Sequence, residues 1–240
     1  MERAVILPDG PAVQPSCRTA EIGDAREGQQ PLPRPLIPDR PVPTTNPMTP
    51  HDMHPIDFLQ ARRSTPSRQL GAPGPDAAQL DRLLHAAVRV PDHGKLVPFR
   101  LVALQGDART RFGQAIADIH ARVDPDVPPS KLEKDRTRYD DAPLILVVVA
   151  RIDEHHSKVP VQEQLLSAGC VACNLLLGAQ ALGFGAQWLT GWAAYDREVA
   201  ALLGLAAHER VIAFVHVGTP KDAAPERTRP ALADVFSTWP

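Results

Sequence analysis

The residues best equipped for chemistry stand in three short runs. The first is Ala61-Arg62-Arg63-Ser64-Thr65-Pro66, with a further arginine at Arg68. Guanidinium forks match phosphate and carboxylate oxygens, and a serine hydroxyl adds a donor, so this run could hold an anion. The same cations could equally complement the C-terminal dipole of a preceding helix, an effect of about 0.3–1 kcal/mol. The second run is Arg89 followed by PDHGKLVPF at 91–99. Pro91 and Pro98 stiffen a loop there, and Gly94 permits a tight turn. His93 and Lys95 add donors just ahead of a buried strand, where ligands commonly sit, although a surface loop with incidental charges would account for them equally well. The third run, QWLTG at 187–191, presents the flat apolar face of Trp188 and the hydroxyl of Thr190. Core packing would account for Trp188 equally well.

Two other groupings carry less. Cys170 and Cys173 have redox spacing but fall inside the most apolar stretch of the chain. Thiolates are disfavoured in such surroundings, so small core residues are the expectation. The run DEHHSK at 153–158 lacks a further ligand at helical spacing and reads as a solvated loop rather than a metal site. The chain contains no G-x-S-x-G, no phosphate-loop motif and no G-x-G-x-x-G after a strand.

The elements that must position these runs follow from periodicity. Eleven of the 26 prolines lie in residues 1–50, with no apolar periodicity. Residues 1–53 therefore read as an extended, disordered proline-rich extension, and the folded domain as 54–240. A short helix is predicted over 55–63, with proline in its first turn. Leu80, Leu83, Leu84 and Ala87 recur at helical spacing and predict an amphipathic helix over 76–90. A strand over 99–105 and a helix over 107–123 follow. The polar, proline-interrupted stretch 124–141 suits a mobile loop or lid. LILVVVA at 144–150 is a strand buried on both faces. Residues 162–182, apolar almost all round and rich in Ala, Gly and Cys, form a central helix ended by Gly183 and Gly185. A strand over 187–190, a helix over 196–203 and a buried strand over 211–217 complete a layered α+β or α/β domain.

Bulk properties narrow the class. Hydrophobic residues make up 43 % of 240, enough for a sizeable core. A formal net charge of -2 without blocks of like charge argues against a nucleic-acid binder. Three cysteines imply no disulfide framework and suit a reducing compartment. No run of about 18 consecutive apolar residues suggests a membrane span, and a cytoplasmic location is expected.

Taken in order, the runs resemble a known family. Arg-Arg-Ser closing a first helix, R-x-P-D-H-x(4)-P-F at 89–99, E-x(3)-S-A-G-C at 163–170, G-F-G-x-Q-W-x-T-G at 183–191 and V-G-T-P at 217–220 are together similar to the nitroreductases, closest to their short, minimal YdjA-like members. The resemblance covers residues 55–220. It implies an α+β fold with a central mixed β-sheet flanked by helices, and an interlocked homodimer with FMN at the subunit interface. It further implies that Arg62, Arg63 and Ser64 hold the FMN phosphate and ribityl chain. Arg89, His93, Pro98 and Phe99 would line the flavin site, and Trp188, Leu189 and Thr190 would meet the flavin from its other end. Gly178, Ala179, Gln180, Ala181, Leu182 and Gly183 match the stretch associated with the nicotinamide cofactor. Arg227 and Arg229 are candidates for a second phosphate contact. Phe99 stands where tryptophan is usual, and Leu189 where arginine is common.

The implied reaction is a ping-pong reduction of nitroaromatic, quinone or similar acceptors by NAD(P)H, with the chemistry on the flavin and none assigned to a catalytic side chain. Two alternatives stay open at this point: a non-catalytic flavin- or nucleotide-binding protein, and a thiol oxidoreductase using Cys170 and Cys173.

Overall fold

A single strand organises the chain. The computed structural model describes residues 53–239, so the proline-rich extension expected over 1–53 lies, but for Met53, outside the described residues. Strand β5 (Glu209–Pro220) runs through the middle of a five-stranded sheet. On one side it pairs with β3 (Leu144–Arg151), which in turn pairs with β2 (Phe99–Gln105). Its other edge is shared by β4 (Gly185–Leu189), opposite residues 214–218, and by the two-residue β1 (Leu70–Gly71), opposite Thr219 and Pro220. All four ladders run antiparallel. The helix-flanked α+β architecture is as expected; the pairing among the described strands differs from the mixed sheet that the resemblance implied.

Side-chain alternation sends β3 and β5 into two cores. On one face Leu144, Leu146, Val148, Ala213, Val215 and Val217 pack against α2 (Ala77–Ala87) and α5 (Val161–Ala181). On the other Ile145, Val147, Val149, Val211 and Phe214 meet α3 (Asp107–Val123) and Val199 of α6 (Arg197–Leu202). Residues 144–150 are thus buried on both faces, which is why their sequence shows no alternation. Helix α2 begins where its chemistry says it should: Asp76 accepts from the Gln79 amide while the Gln79 side chain accepts from the Asp76 amide, a reciprocal cap.

Helix α5 is long and apolar enough by composition to cross a bilayer, yet Ala168, Val171, Ala172, Leu175 and Ala179 are fully buried against the sheet and α2. Its small residues allow close approach. A Cβ on Gly178 would stand 2.7 Å from Leu83 Cδ1. One expectation about this helix is corrected: Cys173 is exposed and Cys170 half-buried, because they lie on the side of α5 turned away from the sheet.

The stretch 124–141 is also corrected. It forms α4 (Pro129–Thr137), with Pro129 in the first turn, where its missing N–H is harmless. Two buried anchors hold it down. Asp135 binds both His120 Nδ1 (2.5 Å) and Trp192 Nε1 (3.0 Å), and Tyr139 packs edge-on against Phe112 (ring centroids 5.0 Å apart). The crossing with α3 is tight, since a Cβ on Gly113 would lie 2.2 Å from the Arg136 carbonyl oxygen.

Candidate functional site

The arginine run begins where the first helix, α1 (Pro55–Ala61), stops. Arg62 turns extended (φ −60°, ψ 126°) as its amide donates to Leu59 O, and Pro66 disfavours a helical Thr65 and opens a single 3-10 turn over Ser67–Gln69. From there the chain runs along the outer edge of β4. The Thr65 amide donates to Ala186 O at 3.0 Å, and the Ser67 amide to Gln187 Oε1 at 2.6 Å. The approach is close because Gly185 has no side chain: a Cβ there would stand 2.7 Å from Thr65 Oγ1 and 2.8 Å from Leu70 Cδ2. The run 62–69 is therefore fastened to the sheet rather than being a loose helix end.

The two arginines are not equivalent. Arg63 is engaged: its guanidinium pairs with Glu226 and donates to Gln60 O (2.7 Å) and Arg62 O (3.0 Å), while its amide donates to Gln180 Oε1 (3.3 Å). Arg62 has only a long bond to Ser64 Oγ (3.3 Å) and, among the described residues, no carboxylate within ion-pair distance. A half-buried guanidinium beside a hydroxyl, uncompensated by an acid, is a donor set suited to a phosphate.

The segment after β5 returns towards this spot. Glu226 also accepts from the Arg227 amide, and the Arg229 guanidinium donates to Arg227 O (2.8 Å). The Arg227 amide and the neighbouring guanidinium of Arg63 hold the exposed Glu226 carboxyl below the usual range. Arg227 and Arg229 thus join the Arg63 surroundings through Glu226, which the sequence reading passed over.

Trp188 stands on β4 opposite Val215, and Leu189 opposite Phe214. The Trp188 indole is more than a third exposed, a large flat face left to solvent. Gly191 (φ 78°) turns the chain out of this strand, with Thr190 half-buried just before it.

The stretch 178–183 divides by role. Gly178 and Ala179 pack, the latter fully buried, while Gly183 (φ 85°) ends α5 and lets Phe184 N reach Ala179 O (2.9 Å). Ala181 and Leu182 are half-buried, the latter capping the helix. The Gln180 side chain meets the arginine run, accepting from the Arg63 amide.

The remaining expected residues lie elsewhere on the same chain. Pro98 and Phe99 are buried where β2 starts, with Phe99 in the core under α5. The exposed His93 binds Glu163 Oε2 through Nδ1 at 2.6 Å, and Arg89 is held by its carbonyl, which accepts from Asn174 Nδ2 at 3.0 Å. Gln180 and Glu163 are seventeen positions apart on α5, about 25 Å at 1.5 Å per residue. The arginine run and the His93 loop therefore stand at opposite ends of the central helix.

Other groupings resolve without chemistry. In 153–158, His156 Nδ1 accepts from the Lys158 and Val159 amides (3.2 and 2.9 Å), and no metal-binding cluster occurs among the described residues. A surface cavity of about 570 Å³, lined in part by Glu154, Leu165, Tyr195, Arg197, Leu205 and Arg210, contains none of the expected site residues.

Comparison with known proteins decides what the arrangement belongs to. The profile of the Nitroreductase family matches residues 59–219. This chain belongs to the nitroreductase family. A Haemophilus influenzae protein named "Putative NAD(P)H nitroreductase" is 36% identical over 187 residues, covering 78% of this chain and all of that one. The Escherichia coli K12 protein YdjA, which carries the same name, is 32% identical over 169 residues, 70% of this chain and 90% of its own. Among solved structures, a nitroreductase-like family protein from Bacillus cereus superposes with a TM-score of 0.65 at 21% identity, over 78% of this chain and 96% of that one. A nitroreductase with bound FMN from Bacteroides fragilis gives 0.59 at 19%, over 77% and 98%. The nitroreductase fold is thereby shown for the described residues.

Proposed function

We propose that this nitroreductase-family chain is an FMN-dependent oxidoreductase that passes electrons from NAD(P)H to electron-poor small molecules such as nitroaromatics or quinones. The observation that carries the reading is Arg62, a guanidinium beside the Ser64 hydroxyl with no acid to neutralise it among the described residues. The names of the relatives and the FMN in a structural neighbour support the same reading.

The residues present fit the cofactor. Arg62 and Ser64 would hold its phosphate, with Arg63 behind them kept in place by Glu226 and Gln180. Arg227 and Arg229 would lend a second positive contact. Trp188 supplies an apolar wall, Thr190 a hydroxyl, and Leu189 leaves that wall uncharged. Arg89 and His93 would form the opposite wall, with Pro98 and Phe99 buried at the start of β2 rather than facing it, and the end of α5 from Gln180 to Gly183 would be the approach of the nicotinamide. When bound, FMN supplies two-electron transfer; the chain supplies binding, orientation and a dry surface.

A homodimer is part of the reading. The outward side of α5 carries Leu166, Cys170, Cys173 and Leu177 at helical spacing, with Leu166 and Cys173 exposed. A Cβ on Gly169, on the same side, would meet nothing within 4 Å. An apolar stripe of small residues suits a second helix. Two copies of α5 packed antiparallel would set the Gln180 end of one beside the Glu163 end of the other, making one site from two half-sites. A cytoplasmic setting completes the proposal, since free Cys170 and Cys173 fit a reducing compartment.

The test is direct. The purified chain given FMN should be yellow, bleach with NADH or NADPH without oxygen, and recolour with nitroaromatics or quinones. A chain that retains no flavin removes the reading. A chain that binds flavin but never bleaches is a flavin carrier, the non-catalytic alternative.

A further inference from the structure

We propose that His93 and Glu163 are a proton-delivering pair for the acceptor half of this reaction. The inference rests on the proposed function and adds to it a side-chain role in chemistry otherwise left to the flavin.

The loop carrying His93 is built with unusual care. Helix α5 grips it at three points: Glu163 on His93, Ser167 Oγ on Pro91 O (2.8 Å) and Asn174 Nδ2 on Arg89 O (3.0 Å). Glu163 and Ser167 belong to the E-x(3)-S-A-G-C run, and neither has another role in the proposed function. Beyond His93, Lys95 (φ 57°) and Val97 (φ 50°) occupy the left-handed region, which a β-branched residue rarely visits. Asp92 holds them there, its carboxylate accepting from the Leu96 and Val97 amides (3.1 and 2.9 Å). Backbone strain held in place by side chains is a mark of a functional segment. Ser167 and Asn174 hold the backbone of the loop, whereas Glu163 acts on the imidazole itself.

The geometry assigns the protons. A carboxylate only accepts, so Nδ1, at 2.6 Å from Glu163 Oε2, carries hydrogen. The ring has no other bond among the described residues, which leaves Nε2 for a second partner, and both side chains are about half exposed. Reduction of a quinone needs a hydride and one proton (Q + H⁻ + H⁺ → QH₂). FMN, when bound and reduced, would supply the hydride. The His93 imidazolium gives the proton from Nε2 to the acceptor oxygen and becomes neutral, Glu163 holds the ring in place, and solvent returns the proton.

Two measurements test this. The first is long-range ¹H–¹⁵N NMR of the His93 ring in the purified protein. Nδ1 should be protonated, and Glu163→Gln should alter its signal; an Nδ1 without hydrogen, or one indifferent to Glu163→Gln, overturns the pair whether or not flavin binds. The second compares quinone with ferricyanide, which takes electrons without protons. His93→Gln should lower the ratio of quinone to ferricyanide turnover by about a hundredfold and enlarge the solvent deuterium effect on the quinone reaction. An unchanged ratio refutes proton delivery. Wild-type protein that NAD(P)H cannot reduce refutes the proposed function and this role with it, and that outcome is distinct because ferricyanide turnover is then absent too.

Discussion

Arg62→Ala is the sharpest perturbation of the anion site. Within the chain the Arg62 side chain makes one hydrogen bond, at 3.3 Å to Ser64, and no ion pair among the described residues. Its removal should therefore leave the fold nearly untouched, within about 0.5 kcal/mol. Bound to a phosphate, the same fork makes charge-assisted bonds worth about 1.5–3 kcal/mol each. Losing one to two of them, with Ser64 and the basic surroundings remaining, weakens FMN by about 2–4 kcal/mol, or roughly 30- to 1000-fold in Kd. Arg62→Lys should recover only part, because an ammonium lacks the planar fork. Flavin-fluorescence titration with FMN and riboflavin is the assay, since riboflavin has no phosphate. FMN should loosen in Arg62→Ala while riboflavin binding stays the same. An FMN affinity within threefold of wild type, or an equal loss for riboflavin, refutes the reasoning and returns Arg62 to being surface decoration.

Two predictions concern the scaffold. His216 on β5 is fully buried, stacks on Tyr139 (centroids 5.6 Å apart) and has no hydrogen-bond partner for either ring nitrogen among the described residues. Burial, helped by the nearby Arg138 charge, lowers its pKa to about 3 from 6.5. Only the unfolded chain then takes up this proton as pH drops below 6.5, so His216 erodes stability by about 1.4 kcal/mol per pH unit down to about 3. Urea unfolding at pH 7 and pH 5, at one protein concentration, should show His216→Leu losing about 2 kcal/mol less than wild type between the two values; parallel losses would contradict this. Gly113→Ala should lower the melting temperature, by about 1–3 kcal/mol of stability, because its Cβ would strike the Arg136 carbonyl of α4. A variant as stable as wild type in a thermal melt would show that α4 can move aside.

What could be read before folding depended on whether a residue's job was local. Leu83 and Ala87 advertise the buried side of α2 by spacing alone, and Asp76 and Gln79 announce its start. Strand β3 was legible from its unbroken β-branched run. The stretch 124–141 was not: α4 is polar throughout and has almost no apolar side, and its hold on the fold comes from Asp135 meeting His120 and Trp192. Such pairings leave no periodic trace. The exposure of Cys173 was hidden for the opposite reason, since α5 is apolar on more of its circumference than its own chain covers. At the site, Arg62 and Arg63 look alike in sequence. Only the return of Glu226, 163 positions later, separates the engaged guanidinium from the free one.

The separation of the arginine run from the His93 loop makes the proposed dimer open to a decisive test. Gln180, beside the arginine run, and Glu163, beside His93, are about 25 Å apart along α5, so the proposed dimer has the Arg62 and His93 of one flavin come from different chains. Consider Arg62→Ala and His93→Gln, each defective alone in quinone reduction, mixed so that subunits exchange. Random pairing makes about half the dimers mixed. In a mixed dimer one site receives the intact Arg62 of one protomer and the intact His93 of the other, while its second site receives both substitutions. About a quarter of all sites are then native, so quinone turnover should return to roughly a quarter of the wild-type value. Were each site built within one chain, every site in the mixture would carry one defect, and mixing would restore nothing. Recovery thus reports the geometry of the site and does not depend on how large either single defect is, provided both are severe. Failure to recover, with subunit exchange verified by mass, would mean that the Arg62 of one protomer and the His93 of the other do not share a flavin.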